Sequence, residues 1–192
     1  MREVMQSLAN ERPRESEPEI TQDEIESLVR EFLATDAGFA QVYTVNRDGF
    51  PVGRTMVAVT RPNWDVDLVQ RRVHRRIGQM RRNPKAEVVW VGSPRPDSIN
   101  DRPHVYDFGL QIPRAVFIRG GVRFMEDDEL LATYEVQTEH QRSLGLTKAP
   151  LRTPSEVVEE LIGTVIEAVQ VRVEGFGSGA RSYQWNPREE LS

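Results

Sequence analysis

The sequence predicts a mostly β domain of the α+β class: an antiparallel Greek-key barrel of six strands with flanking helices. Three observations predict it. Short strands with alternating polarity follow one another along the chain, the helices between them are few, and no βαβα alternation supports a doubly wound sheet. At 192 residues, 38% hydrophobic and 29% charged, the chain suits a single domain with a real core.

Residues 1–19 are rich in Glu and Arg and lack periodicity, so they read as a disordered or arm-like segment ahead of a domain at 20–188. Thr21 and Glu24 form a capping box. Behind it, Ile25, Leu28, Val29, Phe32 and Leu33 repeat at helical spacing and predict one buried stripe. Ala40 to Val45 alternates as a strand. Asn46-Arg-Asp-Gly49 supplies a hairpin turn, and Pro51 to Val59 returns as the second strand. A turn at Arg61-Pro-Asn63 leads into a third, Val66 to Gln70.

A short basic helix follows, with Val73, Ile77 and Met80 as its inward face, and Asn83-Pro84 ends it. Ala86 to Val91 is a continuous apolar strand. Ser93 to Pro113, with four prolines, reads as a long loop, a lid or pocket edge as readily as a surface insertion. Ala115 to Met125 is a strand with Gly120-Gly121 inside it, the mark of a bulge or of a close approach. Asp127 caps a helix running to about Gln141. Thr153-Pro154-Ser155-Glu156 opens another, with Val157, Leu161 and Ile162 inward. Val165 to Glu174 and Arg181 to Trp185 flank a glycine-rich turn as the last strand pair.

Composition narrows the function classes. A net charge of −5 argues against general nucleic-acid binding. No apolar run reaches the ~20 residues of a membrane span, and the first residues lack the apolar core of a secretory signal. Cysteine is absent, so disulfides and thiolate chemistry are excluded and a cytoplasmic location is the expectation. His104 and His140 lack metal-ligand spacing, so no metal site is expected. Nucleophile-elbow, P-loop and dinucleotide-binding glycine motifs are all missing.

The chemistry concentrates between Gly49 and Gly92. Arg71, Arg72, Arg75, Arg76, Arg81 and Arg82 crowd one short segment, whereas the chain's lysines are only Lys85 and Lys148. Arginine grips phosphate in a forked geometry, and a helix N-terminus beside it adds unpaired N–H groups. A genome rich in G and C would also produce this arginine preference. Next to the seat, the strand carrying Arg54, Thr55, Met56 and Val57 offers a backbone edge for a flat ring. These features point to a nucleotide-like cofactor without specifying which.

Pro51-Val-Gly-Arg54-Thr-Met56, followed by His74-Arg75-Arg76-Ile77 through Met80-Arg81-Arg82-Asn83-Pro84, resembles the pyridoxamine 5′-phosphate oxidase-like superfamily. Arg114 to Val122 is similar as well, and the likeness runs in element order over roughly residues 21–187. The resemblance implies an FMN-binding split β-barrel, a homodimer with two equivalent sites at the interface, and hydride or electron transfer to a small molecule. It assigns Arg54 to the flavin phosphate or ring edge, Thr55, Met56 and Val57 to the ring, and His74, Arg75 and Arg76 to the phosphate. Gln70 falls at a strand end where the family often has threonine, and Trp185 or Tyr183 would flank a ring.

The departures narrow the substrate. Val59 stands where the oxidases carry lysine, Ala115 replaces a glutamine that meets the ring, and the Arg-Leu-x-Pro ending is missing. Pyridoxamine phosphate is therefore not the expected substrate. Relatives that bind F420 or haem, or no known ligand, keep those alternatives open, as well as a non-catalytic binding module. No acid or base is assigned; His104 and Tyr106 on the long loop are the first residues to consider.

Overall fold

A computed structural model describes residues 20–94, 113–143, 145–148, 151–176 and 182–188. Among them are four helices and eight strands, all in one antiparallel sheet. The strands are β1 (Ala40–Val45), β2 (Pro51–Met56), β3 (Val59–Thr60), β4 (Val66–Arg71), β5 (Lys85–Pro94), β6 (Pro113–Phe124), β7 (Leu161–Glu174) and β8 (Ser182–Trp185). The helices are α1 (Gln22–Thr35), α2 (Arg75–Arg82), α3 (Asp127–Ser143) and α4 (Pro154–Glu160).

The sheet order is β2-β1-β5-β6-β7-β4-β3, a path of seven strands, with β8 hydrogen-bonded to β7 off that path. The expected six strands are therefore too few. What reads as one strand from Pro51 to Val59 breaks after Met56, and its tail becomes β3 on a different neighbour, Val59 facing Asp67. Only Val57 and Ala58 separate β2 from β3, yet these strands end the sheet at opposite sides. Three extended steps span at most ~11 Å. The sheet must therefore curl until its two ends meet, leaving a seam at Val57–Ala58.

Local sequence explains most elements. The Thr21–Glu24 capping box starts α1, whose Ile25, Val29 and Phe32 are buried in the main core. Each such side chain contributes about 1.5–3 kcal/mol when fully buried. In the β1–β2 hairpin the Asn46 side chain accepts from the Asp48 and Phe50 amides at 2.9 Å, and Gly49 takes φ +83°, a region glycine tolerates. The Thr153–Glu156 capping box opens α4 with Pro154 in its first turn. Leu161 and Ile162 are buried as expected, but they open β7 rather than continue the helix.

Two other expectations shift along the chain. Val73 is 84% exposed because α2 begins only at Arg75, which leaves Ile77 and Met80 as its inward face. Asp127 is the first helical residue of α3 and not its cap.

The glycine pair in β6 does mark a bulge. Arg119 faces Gln170 while Gly120 faces Ala168, so Val169 is the extra residue and its side chain turns outward, 48% exposed. A β-carbon at Gly120 would lie 2.0 Å from the Glu167 carbonyl oxygen.

At this bulge β7 changes partner along one edge: residues 161–166 pair with β4 and 171–174 with β8. Buried Asp65, just before β4, fills the gap. Its Oδ1 accepts from the Ala168 amide at 2.8 Å and from Arg188, just past β8, at 2.9 Å, while Arg188 Nε also donates to the Ala168 carbonyl. Beneath this staple Trp64 and Trp185 pack edge to face, 5.3 Å between centroids. Trp64 adopts φ +68° and is held by Glu26 through its indole N–H and by Arg30 stacked at 3.9 Å.

Replacing Asp65 with alanine is expected to lower unfolding stability by about 2–4 kcal/mol in urea denaturation, because it strands a buried amide and a guanidinium. A loss below about 0.5 kcal/mol would show that the staple does not hold the two strand ends.

Candidate functional site

A cleft of about 280 Å³ opens at the seam. Thr55, Met56 and Val57 form one side, Val69, Gln70 and Arg71 of β4 the floor, and His74 with Arg76 one end. The opposite wall is α3, through Tyr134, Gln137, Thr138 and Gln141, with Leu151 and Arg152 at the rim.

The α2 end is positioned from beneath. Met80 is fully buried, and Thr44 of β1 donates to the Gln79 side chain at 2.8 Å. Gln70 is buried; its Nε2 contacts the Met80 sulfur at 3.7 Å and its Oε1 accepts from Arg76 Nε. That bond holds one edge of the Arg76 guanidinium and leaves the other nitrogens for a ligand. Burial first, then the charge of Arg54, draws Arg76 below the ordinary arginine range.

Among the described residues, no carboxylate lies within ion-pair distance of Arg54, Arg71, Arg75 or Arg76, whereas Arg61, Arg123 and Arg152 all have one. His74 is the residue before α2, yet its side chain makes no capping bond, and its buried Nδ1 has no partner. Burial, then Arg76 and Arg71, hold its pKa below 6.5. Concentrated positive charge and an unmet ring nitrogen at a helix start form an end suited to an anion.

The far wall is anchored separately. Glu129, in the first turn of α3, receives Arg61 at 2.8 Å and both terminal nitrogens of Arg123 at 2.7 and 2.8 Å. The Arg123 bonds, then those of Arg61, hold its carboxyl down to about 2. Farther along α3, Gln137 accepts from the Val69 amide at 3.0 Å.

Six of the sequence-predicted residues thus line one cleft: Thr55, Met56, Val57, Gln70, His74 and Arg76. Arg54 and Arg75 are exposed beside it, with Arg54 donating to the Gly53 carbonyl. Trp185 does not line the cleft; it packs in the core against Trp64, and its buried indole nitrogen has no hydrogen-bond partner among the described residues. The 93–113 loop lies almost entirely outside the described residues, as do His104, Tyr106 and the N-terminal segment. The α3 wall was not anticipated. Its signal was present as polar Thr133 and Gln137 on the buried stripe begun by Leu130.

No family model matches the sequence, and no curated protein matches it. Solved structures do match. A heme binding protein from Mycobacterium smegmatis aligns at TM-score 0.59 and 14% identity over 88% of this chain and 60% of that one. The chain thus spans less than two thirds of that protein's length. A NimC/NimA family protein from Clostridium acetobutylicum gives TM-score 0.51 and 16% identity over 84% of this chain and 94% of that one. The chain shares the split-barrel fold. An F420 reductase aligns on the same split barrel at TM-score 0.50 and 17% identity, covering 73% of this chain and 94% of that one.

Among the described residues no helix is long and apolar enough to cross a membrane, and no group of three or more His, Asp or Glu is placed to hold a metal.

In an NMR titration His74 is expected to protonate below the ~6.5 of a free histidine, and inorganic phosphate to move its midpoint upward. The folded state then binds fewer protons than the unfolded chain, so His74 costs stability as pH falls through that value. A midpoint at or above 6.5 without phosphate, or one that phosphate leaves in place, would contradict an electropositive seat.

Proposed function

We propose that the chain is an FMN-binding oxidoreductase acting on a small molecule. The observation that carries this reading is the charged end of the cleft: Arg76 braced by Gln70, Arg71 close by, and the orphan His74 nitrogen, with no neutralising carboxylate among the described residues. A phosphate monoester fits that donor set, since guanidinium and imidazole N–H groups bond its oxygens directly. From this seat the cleft runs along Thr55, Met56 and Val57, where an attached flat ring would lie beside the strand end. When bound, the flavin supplies hydride or electron transfer. The protein's part is to bind the phosphate, orient the ring and exclude water between the strand end and α3.

A second reading, an F420-dependent reductase, is supported by the fold shared with an F420 reductase and uses the same anion seat. A binding module without turnover, for flavin or for haem, has support in the fold shared with a heme binding protein.

We propose further that the chain works as a homodimer. At about 280 Å³ the cleft falls just short of the ~300–1,000 Å³ of small-molecule sites, as expected where a second subunit completes the walls. Phe39, Tyr43, Phe50 and Val91 are exposed on and around β1, β2 and β5, an apolar surface that a second copy would cover. Sedimentation of the full chain is expected to give twice the chain mass; a monomer at micromolar concentration would remove this part of the proposal.

The cofactor is tested on purified protein by its absorbance and by what heat releases. An oxidised-flavin spectrum that passes into the supernatant is expected, with Arg76→Ala weakening FMN retention about 10–100-fold through lost charge-assisted bonds. A deazaflavin or haem spectrum would select the alternative ligands. Colourless protein that takes up none of the three when they are added would refute the assignment.

A further inference from the structure

We infer that Gln137 is a positioning residue for the ring end of the cleft: its side-chain amide stands in for the strand pairing missing at the seam. The inference rests on the flavin reading of this site.

The register shows what is missing. β4 pairs with β7 along its whole length, Val69 facing Gly163. On its other edge β3 reaches only as far as Val59 against Asp67 and Thr60 against Val66. Among the described residues no strand covers that edge beyond Asp67. β2 ends at Met56 and pairs only with β1, so across the opening lies a second unpaired edge.

Gln137 spans the opening. Its Oε1 accepts from the Val69 N–H at 3.0 Å, and its Nε2 reaches the Val57 carbonyl at 3.5 Å. The side chain is 6% exposed and lines the cleft. A primary amide offers an acceptor and a donor on one plane, as a peptide group does. Glutamate lacks the donor, and asparagine is one methylene shorter. Without the amide, the Val69 N–H and Val57 C=O would lack this partner, and the residues that line the ring end would lose their tether to β4.

The rest of α3 does not depend on this contact. Glu129 secures the helix two turns earlier through Arg61 and Arg123, and Leu130 packs in a second core cluster with Val157 and Val165. A change at Gln137 should therefore act on the seam while the helix stays docked. It should also spare the anion end, where Gln70 braces Arg76.

The test uses the full chain with Gln137→Met, which keeps length but not hydrogen bonding, and Gln137→Glu, which keeps only the acceptor. FMN affinity is followed by fluorescence quenching, the ring's environment by the bound-flavin spectrum, and the anion end by inorganic phosphate read at His74. Q137M is expected to weaken FMN about tenfold and alter the bound-flavin spectrum, with phosphate affinity unchanged within about twofold. Q137E should recover toward wild type as pH falls from about 8 to about 5.5, because a protonated buried carboxyl regains a donor.

Wild type binding FMN while Q137M binds it equally, with the same spectrum, would overturn this inference alone. FMN and phosphate affinities falling together with the unfolding midpoint would also overturn it, by making the role merely structural. Wild-type protein that takes up no flavin would overturn the proposed function and this inference with it.

Discussion

Everything in this fold follows from one constraint: β7 must serve two partners along the same edge. Its first half pairs with β4 and its second with β8, and neither could continue without colliding with the other. The bulge at Val169 creates the break, and glycine at position 120 lets β6 follow it where a β-carbon would strike the Glu167 carbonyl. A break in a buried ladder exposes backbone polar groups that must be satisfied. Asp65 and Arg188 satisfy those of Ala168, and they flank the two strands being separated, one just before β4 and the other just past β8. The Trp64–Trp185 contact repeats the arrangement in apolar form beneath them.

The cleft is the counterpart of that break at the other end of β4. Curling the sheet brings β2 and β3 together through two residues, but β3 is too short to cover β4, so an opening remains. Helices fill it from two sides with different chemistry. α2 brings arginines and an unmet imidazole nitrogen, whereas α3 brings neutral amides and hydroxyls. Carboxylates elsewhere pair with arginines that hold structure, as Glu129 does with Arg61 and Arg123. None among the described residues reaches the α2 end. Arginines that brace the fold and arginines without a carboxylate partner are thus told apart by their contacts, a distinction that composition cannot make.

Much of this was readable one segment at a time. The capping boxes at Thr21 and Thr153, the Asn46–Gly49 turn and the glycine pair in β6 act over a few residues, and each appears where it was expected. So does the grouping of Thr55, Met56, Val57, Gln70, His74 and Arg76, because a strand end and a helix start close in sequence remain close in space. Trp185 lies apart from that group for the opposite reason. An aromatic residue in a last strand looks the same in sequence whether it flanks a ligand or packs on a tryptophan more than a hundred residues earlier. Val73 failed through phase: a helix starting two residues later turns its side chain outward, just as the one-residue bulge turns out Val169.

The amino-acid sequence by itself determined the class of fold, the local signals that start and stop its elements, and the concentration of arginine beside one helix start. These depend on hydrophobic periodicity and short-range hydrogen bonding, which neighbouring residues carry among themselves. Only the tertiary structure decided that Pro51 to Val59 divides between opposite ends of the sheet, that Asp65 and Arg188 meet at Ala168, and that Gln137 closes the seam. Gln137 and Val69 are 68 positions apart, and Asp65 and Arg188 are 123 apart. Their polar groups find partners only after the sheet has curled, since no local pattern says which distant backbone group a buried amide or carboxylate will meet.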